Sequence, residues 1–183
     1  MKHILFLVLS LCFICTTYSQ DKYFTKTGKA YFMSHTDVID IDGTNNQVFC
    51  VLETQTGNVA CAMLIKAFEF TLATASEHFN ETYMESHLYP KANFKGKIAG
   101  FDMAKLSSAE TKLTAEGQLT IHGKTKNVSL PVVVSLKDGV IVGSSNFKVS
   151  IADYDIKVPK VVENRVAKIV DVKINLELKA EKK

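Results

Sequence analysis

Between residue 15 and the C-terminus the chain has no apolar run of membrane length, no Pro/Gly/Ser linker, no repeat and no low-complexity tract. The first absence leaves no later segment long enough to span a bilayer as a helix. The others leave a single domain beginning at about residue 20. Motifs for common chemistries are also missing. There is no His-Glu-x-x-His pair of zinc ligands, no Gly-rich phosphate loop and no recognisable Ser-His-Asp order, so no metal or cofactor is expected. Cysteine is sparse: Cys12 and Cys15 lie in the first segment, and only Cys50 and Cys61 follow it. Strong charge of one sign is lacking too. Without Lys2, 21 basic residues face 19 acidic ones, and the lysines are spread along the chain. Nucleic acid is therefore not an expected partner.

The first segment has the layout of a secretory signal peptide. Lys2 and His3 precede the apolar stretch Ile4 to Ile14, and small residues at Thr17 and Ser19 set up a cut before Gln20. Residues 1–19 are read as this leader and 20–183 as the mature domain, periplasmic or secreted. That compartment permits disulfides.

The mature chain reads as strand after strand. Val170, Val172, Ile174, Leu176 and Leu178 alternate with Asp171, Lys173, Asn175, Glu177 and Lys179, one apolar face and one polar face at period two. Val128 to Leu136 and Leu113 to Ile121 carry similar faces, joined by the turn His122-Gly123-Lys124. Lys137-Asp138-Gly139 supplies the next turn. An earlier hairpin turns at Thr54 to Gly57. Facing Glu53 with Asn58 sets Leu52 opposite Val59, Cys50 opposite Cys61 and Val48 opposite Met63, all on one face. In that register the two thiols can form a cross-strand disulfide or pack free as small apolar groups. One stretch breaks the pattern: Ala73 to Met84 is rich in helix formers, with Thr74 or Ser76 as a cap.

Strands are thus expected near 27–34, 46–53, 58–66, 92–101, 112–121, 126–137, 140–150 and 166–179. Eight antiparallel strands with short turns suggest an all-β up-and-down barrel of the lipocalin-like kind, with one short helix across one end. Closure removes exposed sheet edges. A two-sheet sandwich is the alternative architecture. Inward faces rich in Val, Leu, Ile and Met suit either a filled core or a pocket for one apolar molecule. Each buried methylene contributes about 0.8 kcal/mol. Four isoprene units would therefore outweigh an association cost of about 4–15 kcal/mol without any charged contact.

Two segments carry a resemblance. Glu77 to Ile98 (EHFNETYMESHLYPKANFKGKI) contains His78-Phe79, Tyr89-Pro90 and Phe94-Lys95-Gly96, and Gly117 to Val132 reads GQLTIHGKTKNVSLPV. With a weaker match at Ser150 to Ile156, these resemble the signatures of the YceI-like family of lipid- and polyisoprenoid-binding proteins. Ser76-Glu77 stands where many members carry Arg-Asp before the histidine, and Tyr23 to Asn46 departs from the common pattern. The resemblance implies an eight-stranded barrel around an elongated tunnel for an isoprenoid or fatty-acyl chain, held for transport, storage or sequestration. The residues expected to line it are Val48, Leu52, Val59, Met63, Ile65, Phe68, Phe70, Phe94, Leu119, Ile121, Val132, Val134, Ile174 and Leu176.

Two other readings compete. One is an envelope interaction module with a filled barrel. The other is an enzyme on a lipophilic substrate, using His78 with Glu77 or Glu81 from one helical turn; the same three residues also suit a solvated cap. His122, beside a turn, reads as a surface residue. Tyr83, Tyr89 and Tyr154 are candidates to offer hydroxyls to a ligand head group. A homodimer is compatible with the sequence, but no pattern marks an interface.

Overall fold

The structure, a computed structural model, describes residues 22–181; the proposed leader lies outside the described residues. Nine strands and one α-helix follow in chain order. They are β1 (Lys22–His35), β2 (Asp40–Glu53), β3 (Asn58–Leu64), β4 (Phe68–Glu69), α1 (Ala73–His78), β5 (Lys91–Ala99), β6 (Thr111–Ile121), β7 (Lys124–Lys137), β8 (Val140–Ser150) and β9 (Ile169–Ala180). Around the sheet the order is β1-β9-β8-β7-β6-β5-β3-β2, and β1 also pairs with β2, so eight long antiparallel strands close into a barrel. The ninth, β4, adds two residues to the edge of β2 at Thr44 and Asn45. Among the described residues no helix is long and apolar enough to cross a membrane.

Turn chemistry explains the up-and-down order. His122 and Gly123 (φ 49° and 70°) and Asp138 and Gly139 (φ 51° and 76°) each form a two-residue connection with both residues left-handed. That geometry matches the twist of the strands it joins. In the β2–β3 hairpin Leu52 faces Val59 and Cys50 faces Cys61, the expected register, and the two sulfurs are joined as a disulfide.

Three boundaries differ from expectation. Strands β1 and β2 are each 14 residues long, reaching well beyond 27–34 and 46–53. Register shifts around Gly28 break the period of two, and Asp40, Asp42, Asn45 and Asn46 weaken the apolar signal of β2. The helix is shorter than Ala73 to Met84: α1 ends at His78, and Phe79–Tyr83 continues as a wider π turn. Neither Thr74 nor Ser76 caps it. Helix entry is at Leu72, whose carbonyl accepts from the backbone N–H groups of Ala75 and Ser76.

The barrel interior is divided along its axis. In the half that holds the β2–β3 and β7–β8 turns, Cys50, Leu52, Val59, Ile98, Ala115, Val134, Ile141 and Leu178 pack as one core. Phe101, Met103 and Leu106, from the β5–β6 connection, pack against that core and plug the end. The opposite half, framed by the β1–β2 turn, α1 and the segment between β8 and β9, is hollow.

Candidate functional site

The hollow half encloses a cavity of about 630 Å³. Its wall is built by period-two alternation, which aims every second side chain inward. Ala30 and Phe32 on β1, Met63 on β3, Ala92 on β5, Phe147 and Val149 on β8, and Val170 and Val172 on β9 all face it. Polar groups in the lining are few, and all but the buried Ser34 reach the surface. Thr74, His78, Thr82 and Tyr83 come from α1 and the turn after it, Arg165 from the segment before β9, and Ser34 from the end of β1. The hydroxyl of Ser34 accepts from the Ala167 backbone N–H at 2.9 Å, tying that segment to the barrel wall.

The mouth is apolar as well. Ile39, Leu72 and Val161 line the cavity and are also exposed, Val161 at 87%. An entering chain can therefore stay in apolar contact from rim to floor.

Two devices anchor the chain that follows α1. On one side Phe79 is the hub of an aromatic cluster, stacked on Phe32 with centroids 5.3 Å apart and touching Phe68 and Phe70 at 5.5 and 4.9 Å. On the other side is His122, which departs from its reading as a surface residue. It is 7% exposed. Its Nδ1–H donates to the Tyr154 carbonyl at 3.0 Å, and Nε2 lies 2.8 Å from Glu85 Oε2. The Tyr89 ring packs edge-on against it, 4.5 Å between centroids. Thus the β6–β7 turn, the chain after α1 and the turn after β8 are joined at one imidazole. Burial pushes the Tyr154 phenol above its ordinary value, and the Asp153 carboxylate adds to the shift.

Of the residues expected to line a tunnel, Met63, Ile65, Phe68, Leu119, Ile121 and Ile174 face the cavity. Phe70 instead supports Phe79 in the aromatic cluster. Leu52, Val59 and Val134 belong to the packed core, and Phe94, Val132 and Leu176 pack against it. Val48 is fully buried. The reason is geometric: apart from Phe70, which follows β4, all lie on inward faces, but those on the far half of each strand meet one another across the barrel. Sequence reading missed Ala30, Phe32, Phe147, Val149 and the segment from Pro159 to Val166. Phe147 and Val149 stand two apart on a strand that was expected, so their alternation was a usable signal.

The tyrosines divide. Tyr83 lines the cavity, Tyr89 packs on His122, and Tyr154 is buried under the β6–β7 turn. His78 faces the cavity, with no hydrogen bond to Glu77 or Glu81 among the described residues. Among those residues no group of three His, Cys, Asp or Glu side chains could hold a metal ion.

Comparison with known proteins agrees with this architecture. The model of the YceI-like domain matches residues 22–178. This chain belongs to the YceI-like family. A polyisoprenoid binding domain from Saccharophagus degradans, implicated in plant cell wall breakdown, superposes with a TM-score of 0.76 at 14% identity, covering 89% of this chain and all of that one. BcnA of Burkholderia cenocepacia gives 0.69 at 16% identity over 82% of this chain and 95% of its own. The YceI protein of Campylobacter jejuni gives 0.60 at 18% identity, over 81% and 90%. At such identities these likenesses establish the fold alone. No curated protein sequence matches.

Proposed function

We propose that this YceI-like protein is an exported carrier or reservoir that holds one long apolar molecule, of isoprenoid or fatty-acyl type, in the open half of its barrel, and that it is not an enzyme. The observation that carries this reading is the cavity of about 630 Å³, walled by aliphatic and aromatic side chains, with few polar groups, all but one of them reaching the surface. Such a site binds by desolvation and shape, tail inward, with any polar head left near Thr74, His78, Thr82 and Arg165. A volume of this size lies within the usual range for small-molecule sites, about 300–1,000 Å³. The name given to the Saccharophagus degradans relative supports an isoprenoid. Export rests on the leader-like residues 1–19 and suggests a periplasmic or secreted location.

Delipidated protein should take up a fluorescent long-chain fatty acid with saturation, and an unlabelled prenol should displace it. Binding should also raise the melting temperature as ligand concentration rises. A probe that neither saturates nor is displaced would reject the reading in favour of an interaction module.

A further inference from the structure

We propose that the open end of the barrel is a membrane-docking surface, which seats the cavity mouth on the headgroup region of a zwitterionic lipid bilayer. The observation that carries this is where the exposed apolar side chains lie. Among the described residues eight large apolar side chains are exposed, and only Phe49, on the outer face of β2, stands away from the open end. Val38 and Ile39 are on the β1–β2 turn, Leu64 ends β3, and Leu72 and Leu88 lie in the connection from β3 to β5. Val161 lies between β8 and β9, and Ile169 begins β9. Single exposed apolar residues are ordinary when scattered. Scatter would populate both ends of the barrel. The end bearing the β2–β3, β5–β6 and β7–β8 connections has none among the described residues. Ile39, Leu72 and Val161 also line the cavity, whereas Val38, Leu64, Leu88 and Ile169 do not. The apolar surface thus extends past the cavity wall onto the rim around it.

Charge decides the kind of surface this rim suits. The β3–β5 connection carries Lys66 against Glu69, Glu77, Glu81 and Glu85, and the β1–β2 turn adds Asp37. The β8–β9 connection carries Lys157, Lys160, Arg165 and Lys168 against Asp153, Asp155 and Glu163. Five cations therefore stand against eight carboxylates in the connections at this end. Such a rim gains nothing from an anionic surface. It suits zwitterionic headgroups, which present both signs, with apolar insertion supplying the attraction. Because the apolar groups surround an opening, the partner must cover a ring and still deliver molecules through it, which a bilayer does. Docking extends the carrier reading above and rests on it for its purpose: a chain passes from bilayer to cavity without crossing water.

The test is flotation of the protein, expressed and processed in its own host, with phosphatidylcholine vesicles with and without added phosphatidylglycerol. Partition onto phosphatidylcholine alone is expected, with no more than about a twofold gain from phosphatidylglycerol and little loss at high salt. The combined variant Val38→Ser, Leu64→Ser, Leu88→Ser and Ile169→Ser, checked for an intact fold by circular dichroism, should partition about a hundredfold more weakly. It should still bind a fluorescent fatty acid in solution as the wild type does, since none of the four lines the cavity. Phe49→Ser, off the rim, should partition like the wild type. A wild type that does not float, or a folded combined variant that floats as well as the wild type, would overturn the docking surface. Partition that requires phosphatidylglycerol and vanishes in salt would overturn it in favour of a charged contact. Dimers that the four substitutions dissolve, without vesicle binding, would overturn it in favour of a second copy. Vesicle docking lost in the combined variant, with no fatty acid bound by the wild type, would support the docking surface and reject the carrier reading.

Discussion

The two halves of the barrel are built from the same strands with the same alternation, yet one is packed and the other hollow. Strand β9 shows the contrast within twelve residues. Val170, Val172 and Ile174 face the cavity, whereas Leu176 and Leu178 belong to the packed side. The difference lies in what closes each end. At the packed end short hairpin turns bring the strands' inward residues together, and the β5–β6 connection folds Phe101, Met103 and Leu106 into the remaining space. At the open end the β3–β5 and β8–β9 connections are long: the chain after α1 is anchored through Phe79 and His122, and the segment before β9 is tied to the wall at Ser34. Stability and ligand capacity are thus assigned to different parts of one continuous sheet.

The largest effect that would sharpen this contrast is a matched pair of truncations. Leu52→Ala, in the packed core, should destabilise the apo protein by about 2–5 kcal/mol in urea unfolding, because it leaves a new cavity. Ile174→Ala, on the cavity wall, should cost about 1 kcal/mol or less, because open space already lies in front of it. It should instead weaken lipid binding about tenfold. Equal destabilisation by both would break the comparison.

Next in size is His122→Ala. Removing a buried imidazole engaged at both nitrogens leaves the Tyr154 carbonyl without its donor, and should cost about 1–3 kcal/mol. Hydrogen exchange should show faster opening of residues 79–90, and bound lipid should dissociate faster. Unchanged exchange there would remove His122 as the anchor of the chain after α1.

A smaller effect concerns alkaline pH. The buried Tyr154 phenol has a raised pKa in the folded protein, so the unfolded chain loses that proton first as pH rises. Its contribution is complete below the ordinary tyrosine value of about 10 and is lost as pH climbs through the folded value. Tyr154→Phe should flatten this alkaline decline in melting temperature. A decline of the same slope in the variant would assign it to other groups. Smallest of all is His78→Ala, expected to leave lipid retention nearly unchanged. Hydrolysis or another turnover of a bound lipid that vanishes in this variant would restore the enzyme reading.

Much of the barrel could be read from the sequence because its signals are local. The alternation from Val170 to Leu178 marks β9, the Asp138-Gly139 pair marks a tight hairpin, and the match of Cys50 with Cys61 pins the β2–β3 register. The two ends of the molecule were harder. Strands β1 and β2 are lengthened through polar residues and a bulge, which blur the period of two. The split between core and cavity is a property of axial position, and alternation carries no information about depth. Val134 and Ile174 present the same kind of side chain to the interior, but only Ile174 has nothing packed in front of it. His122 illustrates a different limit. Its turn was legible, but its burial depends on Glu85 and Tyr154, 37 and 32 residues away in sequence.

The most direct test is native mass spectrometry of the mature protein purified from its own host, followed by organic extraction of whatever it releases. A single long-chain apolar molecule per protein, its tail in the cavity of the open half, is the expected result. A clean apo mass that persists after prenols and fatty acids are added back would contradict the claim that the open half of this barrel exists to hold a lipid.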